Sequence, residues 1–442
     1  MFLTILLFLL VLSLLVFVHE LGHFATAKKL GMKVDEFGFG FPPRAFGFMR
    51  VPVEERRLVK EVEEVTVEDE VIEPAFARDE LRRGESEETI REIVTDVIRD
   101  TVEVRKSFKW KFVWGSGEQE PEQTVYSINW IPLGGFVKIH GESGENKTDP
   151  QSFSSKPIWQ RFIVLVAGVT MNLIFAAVLL SIGLMVGLPS VVDETVPSTV
   201  NLSNEKIQIM SVVAESPAAR ASVQPGDEVL SLDNQIFTSS AAAHDYIVSR
   251  EGQEISFLLK RGDDAITVPL TAEDLPSYGQ KGIGVGLVKT AMVSYPWYLA
   301  IVKGVEATFV FSWEVVKAFG NLLWNLVVHQ KVAVDLAGPV GIAVMTGEAA
   351  AMGLVYLLQF AAILSVNLAV VNILPFPALD GGRLIFLLVE KIRGRVINEK
   401  WEALTHNLGF MILMTLVVFV TYRDIVKFGG QIFGAVKNLI GV

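Results

Sequence analysis

Two histidines four residues apart, His19 and His23, bracket a carboxylate in the string His19-Glu20-Leu21-Gly22-His23. On a helix, residues i and i+4 lie one above the other on the same face, so two imidazoles at this spacing can share one metal ion. Zinc takes imidazole nitrogens and carboxylate oxygens, and a catalytic zinc keeps three protein ligands with a fourth position open to water. A carboxylate beside such an ion, here Glu20, is placed to act as general base on the activated water and then hand the proton to a leaving amine. The chain holds six histidines and no cysteine. Disulfides, Cys-zinc sites and thiol catalysis are therefore excluded, and any metal site must use histidine and carboxylate.

The motif closes an uninterrupted apolar run, Met1 to Val18. A soluble metalloprotease would not bury its active helix in hydrocarbon, so this placement predicts zinc-dependent proteolysis inside a bilayer. The composition agrees. Of 442 residues, 50% are hydrophobic, and the mean hydropathy is +0.41. The net charge of -11 comes from acid in the middle of the chain, and no basic stripe suggests a nucleic-acid partner. The first apolar run has no basic residues before it and no small-residue cleavage site after it, so it reads as a retained helix and not a signal peptide. Three further stretches approach the ~20 residues of a bilayer crossing: about Ile158–Leu188, Gly353–Leu374 and Asn407–Thr421, beside the first at about Phe2–Leu30.

The third ligand must come from elsewhere in the chain. His140, His244, His329 and His406 sit in no second motif, but Asp380 does. It follows Asn372-Ile373-Leu374-Pro375-Phe376-Pro377-Ala378-Leu379, opens an Asp-Gly-Gly turn, and is the lone acid between Glu348 and Glu390. An acid at membrane depth is costly and marks a functional position. Asn372 has two readings, a hydrogen-bond donor to substrate backbone or developing oxyanion, and a helix–helix hydrogen bond. Pro375 and Pro377 break the helix and free backbone groups near the metal. Gly168 and Asn172, four apart in the second span, read as close helix packing.

Basic residues place the spans. Lys28, Lys29 and Lys33 follow the first, Lys156 and Arg161 open the second, and Arg383, Lys391, Arg393 and Arg395 follow the third. All three clusters point to the cytoplasm, so the N-terminus, the segment from about Ser190 to Pro296 and, by parity, the C-terminal tail lie outside; Arg423, Lys427 and Lys437 pull against the last of these.

The remaining segments are expected as follows. Phe37–Pro43 and Tyr126–Gly141 alternate and carry Gly and Pro, which predicts a membrane-associated β-hairpin whose edge can take an extended substrate by strand addition. Between them a charged insert, Glu54 to Glu122, reads as a solvated cytoplasmic subdomain with one or two helices over Phe76–Val104. Lys206–Val288 reads as a soluble α/β domain whose SPAARASVQPGDEVLSLDN string resembles a bacterial, permuted PDZ domain. Gly282 and Gly284 are its candidate peptide edge, with a domain that binds no ligand and serves as a spacer as the alternative. Tyr295–Val328, apolar but carrying Lys303, Glu306, Glu314 and Lys317, reads as an amphipathic helix at the interface. The domain plan is then 1–53, first span and hairpin; 54–125, charged insert; 126–188, hairpin and second span; 195–290, PDZ-like domain; 295–350, amphipathic helix and linker; 351–442, third and fourth spans. The fold class is a polytopic α-helical membrane protein with four spans, membrane-associated hairpins and an inserted extracytoplasmic PDZ-like domain.

Together, HELGHF, IPLGGFVKIHGE, AGVTMN, the PDZ-like region, AGPVGIA at Ala337–Ala343 and SVNLAVVNILPFPALDGGRL resemble the site-2 protease family of intramembrane zinc metalloproteases, in its bacterial RseP-like branch. The resemblance implies that His19, His23 and Asp380 bind one zinc, that Glu20 is the base and that Asn372 handles substrate. It implies a multi-pass protein of the bacterial inner membrane, with its catalytic site near the cytoplasmic side. The implied substrates are single-span membrane proteins such as anti-sigma factors or leftover signal peptides, often trimmed first by an upstream protease. Three features depart from the pattern: one PDZ-like domain where some members have two, the Glu54–Glu122 insert, and Gly168-Val169 where Gly-Pro is frequent.

Overall fold

The computed structural model describes residues 2–58, 102–115, 121, 123–142, 144–192, 200–213, 215–262, 264–275, 280–329, 337–395 and 397–440. They fall into two units, Ala27–Ser155, and Met1–Thr26 with Lys156–Val442. Most of the charged insert, including residues 76–101 of the helices expected over Phe76–Val104, lies outside the described residues, and the last three, Val102–Val104, are strand.

Four described helices are long and apolar enough to cross a membrane, over Leu3–Lys29, Ile158–Val186, Leu354–Ile373 and Lys400–Gly429. They belong to α1 (Phe2–Lys29), α2 (Ile158–Val186), α7 (Leu354–Ile373) and α9 (Glu399–Ile440). The first three match their expected limits closely. The fourth extends past both expected ends, because charged residues such as Lys400 and Arg423 end an apolar run without ending a helix. Within the larger unit, α2 is the central element. Ala176, Leu179, Leu180 and Leu184 of α2 pack with Ala362, Val366 and Val370 of α7 and with Ala300 of α5 (Trp297–Trp324). Burial through small residues lets helix backbones approach closely. The expected amphipathic segment is helix α5, and it lies along α2 through buried Ala300, Gly304 and Thr308. Its other faces expose Trp297, Ile301, Phe309 and Trp313, along with the ion pairs Lys303–Glu306 and Glu314–Lys317.

Part of the expected linker before residue 350 is instead a helix, α6 (Pro339–Met352). Pro339 occupies its first turn, where a missing N–H costs nothing, and the buried Asp424 of α9 accepts a hydrogen bond from the Gly341 N–H at 2.6 Å. A remote carboxylate thus caps this helix, which local sequence could not announce. A further helix, α8 (Asp380–Arg393), follows α7. Arg161 at the start of α2 reaches Glu390 of α8 in a two-point ion pair of 2.6 and 3.0 Å. Its charge is therefore answered within the protein, which weakens its weight as an orientation signal.

The PDZ-like region is a six-stranded sheet in the order β4-β11-β5-β6-β7-β8. The strands are β4 (Leu188–Val191), β5 (Asn201–Val212), β6 (Glu228–Leu232), β7 (Glu254–Arg261), β8 (Asp264–Thr271) and β11 (Val285–Ser294). Its core joins Ile207, Ile209, Leu232, Ile255, Phe257 and Leu259. Two short helices, α3 (Pro217–Arg220) and α4 (Ser240–Ser249), pack on it, and β9 (Glu273–Leu275) pairs with β10 (Gln280–Gly282). A tight turn at Asp233-Asn234 has both residues at positive φ, as a two-residue hairpin turn requires. The second helix starts at Ser240, where the Ser239 hydroxyl caps it by accepting from Ala242 N–H at 3.3 Å.

In the smaller unit the expected hairpin is present but gains a third strand. The order is β2-β1-β3, all antiparallel, with β1 (Val34–Leu58), β2 (Val102–Trp114) and β3 (Val125–Ile139). Strand β2 comes from within the segment expected as a separate charged subdomain, and pairs with β1 from Phe46↔Trp114 to Leu58↔Val102. Within that segment Phe108, Trp110, Phe112 and Trp114 recur at every second residue, with Lys109 and Lys111 between them, a strand period. Those four aromatics are exposed, as are Phe48, Tyr126 and Trp130, and contacts such as Phe48–Phe112 and Trp110–Tyr126 gather them on one face. Met49, Val113 and Val125 are buried together.

A pH dependence follows from Asp227 in the PDZ-like region. Its buried carboxylate accepts from Arg261 Nε and Nη2, both at 2.7 Å, and from the Gln224 N–H at 2.9 Å. The Arg261 hydrogen bonds, with the Gln224 N–H, hold its pKa below the usual carboxylate value despite desolvation. A depressed folded pKa means the stabilisation is complete above the unfolded value of about 3.9 and is lost as pH falls below it. Thermal unfolding between pH 7 and pH 3 is expected to show this loss, and Asp227→Asn to be less stable at pH 7, by about 1–3 kcal/mol, with a flatter acid limb.

Candidate active site

Helix α1 carries His19 and His23 on one face, both buried. Helix α2 faces them, and the approach is close enough that no side chain fits between. A Cβ on Gly168 would collide with His23 Nε2 and lie 2.8 Å from His19 Nε2, and one on Gly22 would meet the Ala167 carbonyl. Helix α2 also orients the rings. His23 Nδ1 lies 2.8 Å from the Val164 carbonyl oxygen. A carbonyl only accepts, so Nδ1 carries the proton, which leaves Nε2 as the nitrogen available to a metal. His19 Nδ1 lies 3.2 Å from the carboxamide of Asn172, whose side chain is fully buried.

Asp380 arrives from a distant part of the chain. Helix α7 ends at Ile373, and the Leu374–Leu379 turn, with Pro375 and Pro377 unable to continue the helix, delivers Asp380 as the first residue of α8. The turn is braced by α9. The Ala378 N–H donates to His406 Nδ1 at 2.9 Å, and Pro377 packs so closely on Gly409 that a Cβ there would clash. Ala378 itself sits at a φ of +79°, a conformation held by its surroundings.

Three atoms converge. His19 Nε2 is 3.0 Å from Asp380 Oδ2, His23 Nε2 is 3.4 Å from the same oxygen, and the two Nε2 atoms are 3.1 Å apart. Among the described residues this is the group of histidines and carboxylates able to hold a metal. Tetrahedral zinc with bonds of about 2.0–2.1 Å sets its ligand atoms roughly 3.3–3.4 Å apart, so the set fits zinc in both chemistry and spacing. Glu20 follows His19 on α1 and is partly exposed. Asn372 places Nδ2 3.4 Å from His19 Nε2. Pro375 is exposed and borders a cavity of about 730 Å³, with apolar walls that include Trp159, Phe162, Leu384 and Leu388.

His19, Glu20, His23, Asn372, Pro375, Pro377 and Asp380 therefore share one locality. Gly282 and Gly284 lie apart in the PDZ-like region. There Gly282 pairs with Glu273, and Gly284, at a φ of +78°, accepts from Val213 N–H through its carbonyl. Two neighbours of the site went unread in the sequence. Asn172 reads in the sequence as packing, and its signal is an amide in an apolar helix. His406 stood in no motif.

Comparison with known proteins gives the family. Peptidase family M50 matches residues 7–54 and 110–416, leaving out most of the charged insert. The chain is 30% identical over 450 residues to the regulator of sigma-W protease RasP of Bacillus subtilis, covering 96% of this chain and 98% of that one. It is 31% identical, with the same coverage, to zinc metalloprotease RasP of Bacillus licheniformis. Over 20% of its length it is similar to the PDZ domain of the SdrC-like protein of Listeria monocytogenes, at 28% identity, 92% coverage of that chain and a TM-score of 0.18. The chain belongs to peptidase family M50, the site-2 protease family of zinc metalloproteases.

The α1–α2 contact makes one substitution decisive. Gly168→Ala is expected to push both imidazoles off their positions, lowering zinc content in the purified protein by at least about tenfold, in keeping with the 10–100-fold cost of disturbed ligand orientation. Metal analysis by mass spectrometry checks this, and full zinc occupancy in the variant would contradict it.

Proposed function

We propose that the protein hydrolyses peptide bonds within or near the membrane segment of single-span membrane proteins, with His19, His23 and Asp380 holding one zinc and Glu20 as general base. The observation that carries this is the convergence of the three ligand atoms at 3.0–3.4 Å, two of them on a helix apolar enough to cross a bilayer. Bound zinc supplies an acidified water and polarises the scissile carbonyl. Glu20, next to His19 and partly exposed, takes the proton and returns it to the departing amine. The Asn372 amide, beside the ligands, donates to the substrate backbone or to the oxygen that gains charge. Pro375 and Pro377 keep the turn before Asp380 non-helical, and the apolar cavity beside Pro375 suits the side chains of an unwound membrane segment.

The wider arrangement fits the same reading. The protein sits in the bacterial inner membrane as a four-span protein. The N-terminus and PDZ-like domain are extracytoplasmic, and the catalytic site is near the cytoplasmic side, as the basic residues after α1 and α7 indicate. The exposed aromatic face of the three-stranded sheet suits the interfacial layer, where Trp and Tyr are enriched. The sheet starts at Val34, just after α1 ends at Lys29. Val125–Ile128 of β3 are paired on both sides by β1, whereas Gly135–Ile139 are paired on one side only among the described residues, which leaves that half of the strand as an edge for an extended substrate. In the PDZ-like domain, β4 covers β11 only from Thr290 onward, so Val285–Val288, which follow Gly282 and Gly284, offer a peptide edge among the described residues. Substrates of the anti-sigma-factor or leftover-signal-peptide type, first trimmed outside by another protease, fit a site of this kind.

The test uses Glu20→Gln in the full chain, co-expressed with a single-span reporter. Zinc content is expected to stay at one per chain, while cleavage falls by at least about a thousandfold, within the reach of general-base loss combined with electrostatic disruption. Cleavage at the parent rate would overturn the assignment of Glu20.

A further inference from the structure

The two imidazoles need the same thing from their surroundings, and only one of them obtains it from a group that can do nothing else. To face a metal, each Nε2 must keep its lone pair, so each Nδ1 must carry the proton. For His23 the Val164 carbonyl enforces this. For His19 the neighbour of Nδ1 is the Asn172 carboxamide, drawn with its nitrogen 3.2 Å away. In that orientation the amide donates to Nδ1, the proton is driven to Nε2, and the metal position is blocked. In the same orientation the buried Asn172 Oδ1 has no partner. Amide oxygen and nitrogen differ little in shape and exchange by a half-turn. One of the two stays unpaired either way among the described residues, so the half-turn costs little, and the metal decides the outcome.

We propose that Asn172 is a positioning residue for the metal site, its carboxamide oxygen accepting from His19 Nδ1–H and fixing the tautomer whose Nε2 faces zinc. The inference rests on the zinc reading above. It gives α2 a single design: Val164, Gly168 and Asn172 fall at intervals of four on one face. The first orients His23, the second leaves space for both rings, and the third orients His19. Ser365 of α7 donates to the Asn172 carbonyl at 2.8 Å, which pins the backbone at this position whatever the side chain.

The experiment measures Zn2+ affinity of the full chain, purified in detergent, by competition with a chromophoric chelator. Three variants are compared with the parent. Asn172→Leu keeps the volume but offers no acceptor, and its affinity is expected to fall about 10–100-fold. Asn172→Asp keeps the oxygen and cannot donate an amide hydrogen, and it is expected to bind as tightly as the parent or more so. His19→Ala removes the ligand and is expected to abolish tight binding. A Co2+-loaded Asn172→Leu protein should also show an altered visible absorption band, which unperturbed packing would leave alone. Parent-like affinity in Asn172→Leu, or an equal loss in Asn172→Asp, would overturn the role of Asn172 while leaving the zinc site intact. Parent-like affinity in His19→Ala would overturn the site, and this inference with it.

Discussion

Two imidazole nitrogens and a carboxylate oxygen meet at 3.0–3.4 Å among apolar helices. Lone pairs brought this close repel one another, and taking a carboxylate out of water costs several kcal/mol even after relaxation. A divalent cation reverses the sign of both effects. The cation can do so only if the three side chains are already aimed, and this requirement organises the larger unit. Helix α2 must press on α1 closely enough to exclude a side chain at Gly22 and Gly168. Helix α7 must stop at Ile373 so that Asp380 can turn inward. Helix α9 must hold that turn through His406 and Gly409.

The same constraint explains where polar groups appear in helices that could otherwise be wholly apolar. Polar groups without partners are costly in hydrocarbon. Asn172, Ser365, Asn372 and His406 each have a named neighbour, at the metal ligands, at the turn before Asp380 or on the next helix. Away from the site the logic is different. Asp424 caps α6, and Arg161 and Glu390 tie α2 to α8. The PDZ-like domain has a separate hydrophobic core around Phe257 and Leu259. The helices of the larger unit thus pack through apolar contacts along α2, with polar contacts added at the site and at helix ends.

How much of this could be read from residues alone depended on how local the cause was. His19, Glu20 and His23 share one helix turn, and Asp380 stands out as the single acid of a long apolar stretch, so the group that converges in the structure was legible. Three spans were legible because an apolar run and a helix ended together. Strand β2 was concealed by lysines that alternate with its aromatics. Helix α6 was concealed because its cap, Asp424, lies 83 residues away. Asn172 reads as packing because of its spacing from Gly168, and His406 belongs to no spacing pattern; each meets a partner distant in sequence, His19 and the Ala378 N–H. The charge of Arg161 was counted toward the cytoplasm although Glu390 answers it.

The central claim is that the catalytic metal is zinc held by two imidazoles and one carboxylate. X-ray absorption at the zinc edge of the purified full-length protein tests it most directly. The expected spectrum is a four-coordinate shell of nitrogen and oxygen at about 2.0–2.1 Å, with imidazole scattering from two histidines that drops when His19 or His23 is replaced. A six-coordinate all-oxygen shell, or a spectrum unchanged by loss of either histidine, would contradict the account.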